Sequence, residues 1–294
     1  MSSHYFTVSE RHTIHYQIIG DDHKPTLVLI HGGPGTGCTD NDLKFIQDLG
    51  IRAILIDQRG CGKSIPAGDV TDNTTQHLID DIISIMDHLR ISKAKLLGGS
   101  WGSTLATLFT MQHPKRVESL ILRGLFLGTQ ASRAMYEDPH TNAYRILCSH
   151  IPYTYEGSPW QYYYDQLLSN NIDVQRNYAR LFAEYNLHKI TEGKVTRLDA
   201  GIDIDLIIAT DRIRLHYSVN DFFIAKNYIF NHIQLLTNTP VTIVHGKYDE
   251  ICSPEDVKLW TKLLPHTKVK WVEAGHSPKE DAIIQGVRQA IRNI

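Results

Sequence analysis

Ala94-Lys95-Leu96-Leu97-Gly98-Gly99-Ser100-Trp101-Gly102 sets a short apolar run directly before a Gly-x-Ser-x-Gly motif. A helical pattern, 103–113, follows at once and is stopped by Pro114. A serine on so sharp a strand-to-helix turn is pushed out at the carboxyl edge of a sheet, and small neighbours are required because the tight backbone leaves no room for side chains. The bare motif is common. Its context, a strand before and a helix after, is what identifies a nucleophile elbow.

Working outward, apolar runs at 26–30, 53–56 and 119–122 read as strands buried on both faces, the kind found inside parallel sheets. Two more β-rich stretches, 5–8 and 13–19, precede them. Between the buried runs lies a helix over 74–90, where Leu78, Ile82, Ile85, Met86 and Leu89 share one face and Asn73 or Thr74 is placed to cap it. The alternation returns with strands at 241–245 and 269–272 and helices at 254–264 and 279–292. Strands alternating with helices predict an α/β fold with a mostly parallel, helix-flanked sheet. Residues 129–234 break the pattern. They hold eleven of the fourteen tyrosines and no buried-strand run, so the expected organisation is a core of 1–128 and 235–294 with a helical insertion at 129–234.

A serine hydroxyl needs a histidine base and an acid to orient it, and on this architecture the chain order is serine, acid, histidine. Asp249 follows the strand 241–245 and His276 follows the strand 269–272, both at strand carboxyl ends that converge on one sheet edge. Ser100, Asp249 and His276 are therefore the expected catalytic set. His245 and His31 are read as braces of the backbone, Asp256 falls within a helix, and Arg123-Gly124 offers no acid after the strand 119–122. Acyl transfer also needs donors for a developing oxyanion. The backbone N–H of Trp101 is one candidate, and Gly33, in His31-Gly32-Gly33-Pro34-Gly35, is the other. No Gly-Lys-Ser or Gly-Lys-Thr follows that loop, which removes a phosphate-loop reading. Asp57-Gln58-Arg59-Gly60 is expected to brace the loops beneath the site.

The formal charge of −2 gives no electrostatic footprint for nucleic acid or an anionic membrane. No run of 18 apolar residues is present, so no membrane span is expected. The first twenty residues scatter Glu10, Arg11 and three histidines among the apolar ones, which is not the pattern of a secretory signal. Cys38, Cys61, Cys148 and Cys252 are far apart with no zinc spacing, pointing to free thiols in a cytoplasmic protein. No motif calls for a metal or cofactor. The expected ligand is a small peptide or other small acyl substrate, and oligomeric state is not legible.

The chain resembles the proline iminopeptidases, a branch of the α/β-hydrolase superfamily. The resemblance rests on HGGPG at His31, DQRGCGKS at Asp57, NTT at Asn73, GGSWGSTLA at Gly98, LRG at Leu122, VTIVHGKYD at Val241 and EAGHS at Glu273. It implies the α/β-hydrolase fold, a helical cap, the same Ser100, Asp249 and His276, and removal of amino-terminal proline from small peptides. Members of the family carry cap glutamates that hold the substrate's charged amino terminus. Here Arg212-Ile213-Arg214-Leu215-His216-Tyr217 has Arg214 at one such place, and pairing Phe182-Ala183-Glu184-Tyr185-Asn186 with a second pattern puts Asn186 at the other. Like charges 4 Å apart at an effective dielectric near 20 repel by roughly 4 kcal/mol. Three outcomes are open: Glu184, Asp211 or Glu137 replaces the lost acids, Arg214 is a surface charge, or Arg214 selects a carboxylate-bearing substrate. The alternatives to an aminopeptidase are an esterase or amidase with a repurposed cap and a non-enzymatic binding protein.

Overall fold

The computed structural model describes residues 1–129, 138–191 and 193–293. Eight strands form one sheet: β1 (Ser2–Thr7), β2 (Thr13–Ile19), β3 (Thr26–Ile30), β4 (Arg52–Ile56), β5 (Ala94–Gly99), β6 (Val117–Arg123), β7 (Val241–Gly246) and β8 (Lys268–Val272), in the order 1-2-4-3-5-6-7-8. The first two pairings, β1 with β2 and β2 with β4, are antiparallel, and every later one is parallel. β1 starts earlier than its apolar pattern suggests because Ser2 pairs with Ile18 across the ladder.

The helices around the sheet are α1 (Asp40–Ile46), α2 (Thr75–His88), α3 (Trp101–Gln112), α9 (Pro254–Leu263) and α10 (Asp281–Arg292), numbered along the chain, and five further helices lie among the described residues between β6 and β7. Alternate residues of β3 serve opposite faces, as a strand period of two requires. Val28 and Ile30 join a core with Ile82 and Met86 of α2 and Phe109 of α3, while Leu27 and Leu29 join another with Phe45 of α1 and Val287 of α10. A sheet covered on both faces explains why its central strands are uninterrupted apolar runs. Thr74 caps α2, its side chain accepting the N–H of His77.

Between β6 and β7 lie α4 (Asn142–Ser149), α5 (Pro159–Leu167), α6 (Ile172–Ile190), α7 (Ile204–Val219) and the short α8 (Tyr228–Asn231). Leu147, Trp160, Tyr163, Phe182, Ile208 and Leu215 form a separate core there. α7 rests on loops that follow β3 and β4 at the carboxyl edge of the sheet. Tyr217 donates to Asn73 Oδ1 at 2.9 Å, and His216 Nε2 lies 2.8 Å from the Asn73 carbonyl. Gly35 admits this approach, since a Cβ there would stand 2.2 Å from the Thr210 carbonyl oxygen.

The strand order reverses between β3 and β5, whose neighbours on the far sides are β4 and β6. Loops leaving the carboxyl ends of β3 and β5 diverge there and open a crevice, the usual ligand site of such sheets.

Candidate active site

Ser100 caps α3 with φ 54° and ψ −122°, a conformation that L side chains rarely adopt. Close packing enforces it. A Cβ on Gly98 would meet the Gly102 carbonyl oxygen at 2.2 Å, and one on Gly102 would meet that of Ile30 at 2.1 Å. The turn is tied down from below, where Ser100 N donates to the Arg123 carbonyl at 2.8 Å and the Ser103 hydroxyl donates to the Ser100 carbonyl at 2.6 Å. α3 begins at Trp101, two residues earlier than its sequence pattern suggests, because the elbow itself forms the first turn.

Three side chains from three strand ends meet at this point. His276 Nε2 lies 3.1 Å from Ser100 Oγ, and His276 Nδ1 lies 2.8 Å from Asp249 Oδ2. Asp249 Oδ1 accepts the N–H groups of Ile251 and Cys252 at 2.9 and 2.8 Å. Burial pushes the Asp249 carboxyl up, but the charge and hydrogen bond of His276, the charge of His245 and the Cys252 N–H outweigh it and bring it down to about 2. An ionised Asp249 accepts the Nδ1 proton, which leaves Nε2 with a lone pair toward the serine.

The glycine loop after β3 packs on the elbow, with the Cβ position of Gly32 only 3.2 Å from Ser100 Cβ. Gly33 takes φ +113° before a cis peptide to Pro34. A chain of hydrogen bonds joins this loop to Trp101. The indole donates to Gln58 Oε1 at 2.9 Å, Gln58 N donates to His31 Nε2 at 3.0 Å, and Gln58 Nε2 donates to the His31 carbonyl at 2.8 Å. Because His31 Nε2 accepts, its proton sits on Nδ1 and is given to the Gly32 carbonyl at 2.8 Å. Burial lowers the His31 pKa and favours that neutral form. His31 is thus a brace, as is His245, which accepts the Leu125 N–H. Asp256 lies in α9 and accepts the Thr129 hydroxyl.

Several contributors carry no sequence signal that names their role at the site. Gln58 links both expected oxyanion loops through contacts 27 and 43 residues away in sequence. Arg123 lies beneath the serine and donates to the His276 carbonyl at 3.1 Å, and its Nε has no partner among the described residues. Cys252 is buried beside the triad, and burial pushes its thiol pKa well up. Asp249, Cys252 and His276 place potential metal-ligand atoms within 4.8 Å of one another. The donors are already committed, the acid and imidazole to each other and the thiol to its proton.

Above the triad is a cavity of about 380 Å³, within the range of small-ligand sites. Ser100, Gly33 and His276 face it from the core, and Trp160, Asn186 and Arg214 from the helices. Arg214 is therefore not a plain surface charge. It donates to Asp211 Oδ1 at 2.5 Å, and burial raises the Asp211 carboxyl to about 6 against the pull of Arg214. Asp211 and Glu184 do not line the cavity, and Glu184 instead accepts the Leu198 N–H. Glu137 lies outside the described residues. No helix among the described residues is long and apolar enough to cross a membrane.

The alpha/beta hydrolase fold family matches residues 25–282. The chain is 32% identical to a proline iminopeptidase of Arabidopsis thaliana, over 96% of this chain and 77% of that protein. It is 31% identical to one of Neisseria gonorrhoeae, over 98% and 96%. Solved structures with the same fold include a proline iminopeptidase of Mycobacterium smegmatis, with a TM-score of 0.63 at 17% identity over 99% and 97% of the two chains. The esterase RhEst1 of Rhodococcus sp. ECU1013 gives a TM-score of 0.62 at 20% identity, over 99% and 98%. By its matched sequence and its fold, the chain belongs to the α/β hydrolases, in the branch of the proline iminopeptidases.

Proposed function

We propose that this protein is a serine aminopeptidase that releases amino-terminal proline from short peptides. Ser100 is the nucleophile, His276 the base and then the acid, and Asp249 the group that holds the imidazole. The observation that carries this reading is the unbroken hydrogen-bond chain from Asp249 through His276 to Ser100, 2.8 and 3.1 Å long, in a relative of proteins named proline iminopeptidase.

In acylation, Ser100 Oγ attacks the carbonyl carbon of the first residue while its proton passes to His276 Nε2. The N–H groups of Trp101 and Gly33 meet the oxyanion. The imidazolium then protonates the amide nitrogen, the C–N bond breaks, and the shortened peptide leaves an acyl ester on Ser100. Water, deprotonated by the same imidazole, hydrolyses that ester and returns the proton to the serine. Residues 129–234 act as a cap over a core of 1–128 and 235–294, with Asn186 and Arg214 as its substrate contacts. Four free cysteines favour the reducing cytoplasm.

Prolyl, alanyl and acyl-ester chromogenic substrates assayed side by side test the reading. Prolyl turnover that disappears in Ser100→Ala, with fluorophosphonate labelling of Ser100 in the parent, is the expected result. Brisk ester hydrolysis with no prolyl turnover would instead support an esterase or amidase, a reading that Arg214 in the cavity wall favours.

A further inference from the structure

We propose that Asp42 receives the substrate's protonated amino terminus, so that the amine is recognised from the core side of the cavity and not from the helices above it. The inference rests on the aminopeptidase reading. An ammonium taken from water into a partly enclosed cavity loses hydration that only a carboxylate or several acceptors restore. Among the described residues that line the cavity, Arg123, Arg214 and Lys279 are cationic, and Asp42 supplies the one carboxylate. Of the described acids weighed on the helical side, neither lines the cavity: Asp211 is buried with Oδ1 on Arg214, and Glu184 accepts the Leu198 N–H.

Asp42 is built to hold still. Its Oδ2 accepts both the backbone N–H of Thr39 at 2.8 Å and the Thr39 hydroxyl at 2.9 Å. Oδ1 takes no hydrogen bond among the described residues, which leaves a fixed acceptor oxygen for a ligand. Its charge is felt at the floor of the site, where it works against the lowering of the Arg123 and His31 pKa values by burial. A carboxylate already oriented by two donors loses little freedom on meeting a cation, and this preorganisation favours binding.

Asp42→Asn keeps a carbonyl oxygen for the Thr39 donors, removes the charge and turns the free acceptor oxygen into an N–H donor. Asp40→Asn, at an exposed position of the same helix, is the control. The readout is inhibition of neutral acyl-ester hydrolysis by pyrrolidine, which is cationic at neutral pH, beside cyclopentanol, an uncharged ring of similar size. Asp42→Asn is expected to raise the inhibition constant of pyrrolidine by about ten- to a hundredfold, the cost of a lost charge-assisted hydrogen bond. Inhibition by cyclopentanol stays unchanged, and in Asp40→Asn both inhibition constants and the ester kinetics stay as in the parent. On prolyl amides the same variant raises KM more than it lowers kcat. Pyrrolidine inhibition that is absent in the parent or unaltered by Asp42→Asn overturns the proposal, as does a parallel fall in ester hydrolysis. A parent that cleaves esters and no prolyl amide refutes the aminopeptidase reading separately, and the pyrrolidine comparison still decides the role of Asp42.

Discussion

Replacing Asp249 with Asn keeps the shape of the side chain and removes the charge around which three donors are arranged. The carboxyl sits at about 2 in the fold against an ordinary value near 3.9. A group whose folded pKa is depressed stabilises the fold above its unfolded pKa and loses that contribution as pH falls through the folded value. The difference of nearly two pH units corresponds to about 2 kcal/mol, complete above pH ~4, roughly halved at pH ~3 and gone below pH ~2. Urea unfolding of parent and variant at pH 7 and pH 3 measures it: the gap in stability should be about twice as large at pH 7. Activity should fall further. With the acid neutral, Nδ1 is no longer held as a donor, and in serine proteases with the same arrangement this change costs on the order of 10⁴ in kcat. A stability gap that stays constant or widens on acidification would refute the charge assignment. A loss in kcat of less than about tenfold would refute the orienting role.

Three further perturbations follow from the same geometry. Gly102→Ala sets a methyl 2.1 Å from the Ile30 carbonyl oxygen and 2.6 Å from that of His31, so it should destabilise by about 1–3 kcal/mol or more and lower kcat by displacing the elbow, as read by thermal unfolding and ester assay. Arg214→Glu should raise prolyl-amide kcat/KM relative to ester kcat/KM, and if it does not, the charge argument for an altered specificity loses its basis. Asp211 has the opposite sign from Asp249. Its folded value is raised to about 6, so the parent loses on the order of 3 kcal/mol as pH rises from about 4 to 6, and Asp211→Asn should gain stability relative to the parent across that window in urea titrations.

What could be read from the residues divides along a physical line. The central strands were legible because burial on both faces leaves an uninterrupted apolar run, and the elbow because a strained serine needs glycine at Gly98 and Gly102. Asp249 and His276 were legible because parallel strands deliver their carboxyl ends to one edge, so position after a strand already specifies a place. Rotation of a helix about its axis has no such signature. In α7 the buried residues Ile208, Asp211, Ile213, Leu215 and Tyr217 include neighbours only two positions apart and so span much of its circumference. No apolar stripe states which way Arg214 points. That is settled by contacts far away in sequence, His216 and Tyr217 with Asn73 and the close approach at Gly35. Gln58 was assigned to a bracing segment, but its actual partners depend on tertiary contacts that leave no period behind.

The helix α1 was missed for a related reason. It has seven residues, and only Phe45 and Ile46 of them are buried, too little to generate a period against the loop on either side. Its N-terminal turn is nevertheless where Thr39 holds Asp42 at the cavity. In the proposed reading, reaction chemistry falls to residues whose place follows from strand topology, and substrate preference to residues whose direction follows from packing. The two respond to different substitutions. Changes at Ser100, His276 or Asp249 should lower turnover of esters and amides together, because every acyl substrate uses the same proton transfers. Changes at Asp42 or Arg214 should alter the ratio between cationic and neutral substrates and leave ester turnover in place. A variant at either cavity position that lowers both activities in equal proportion would show that charge in the wall acts on the triad itself, and the division drawn here between chemistry and selection would fail.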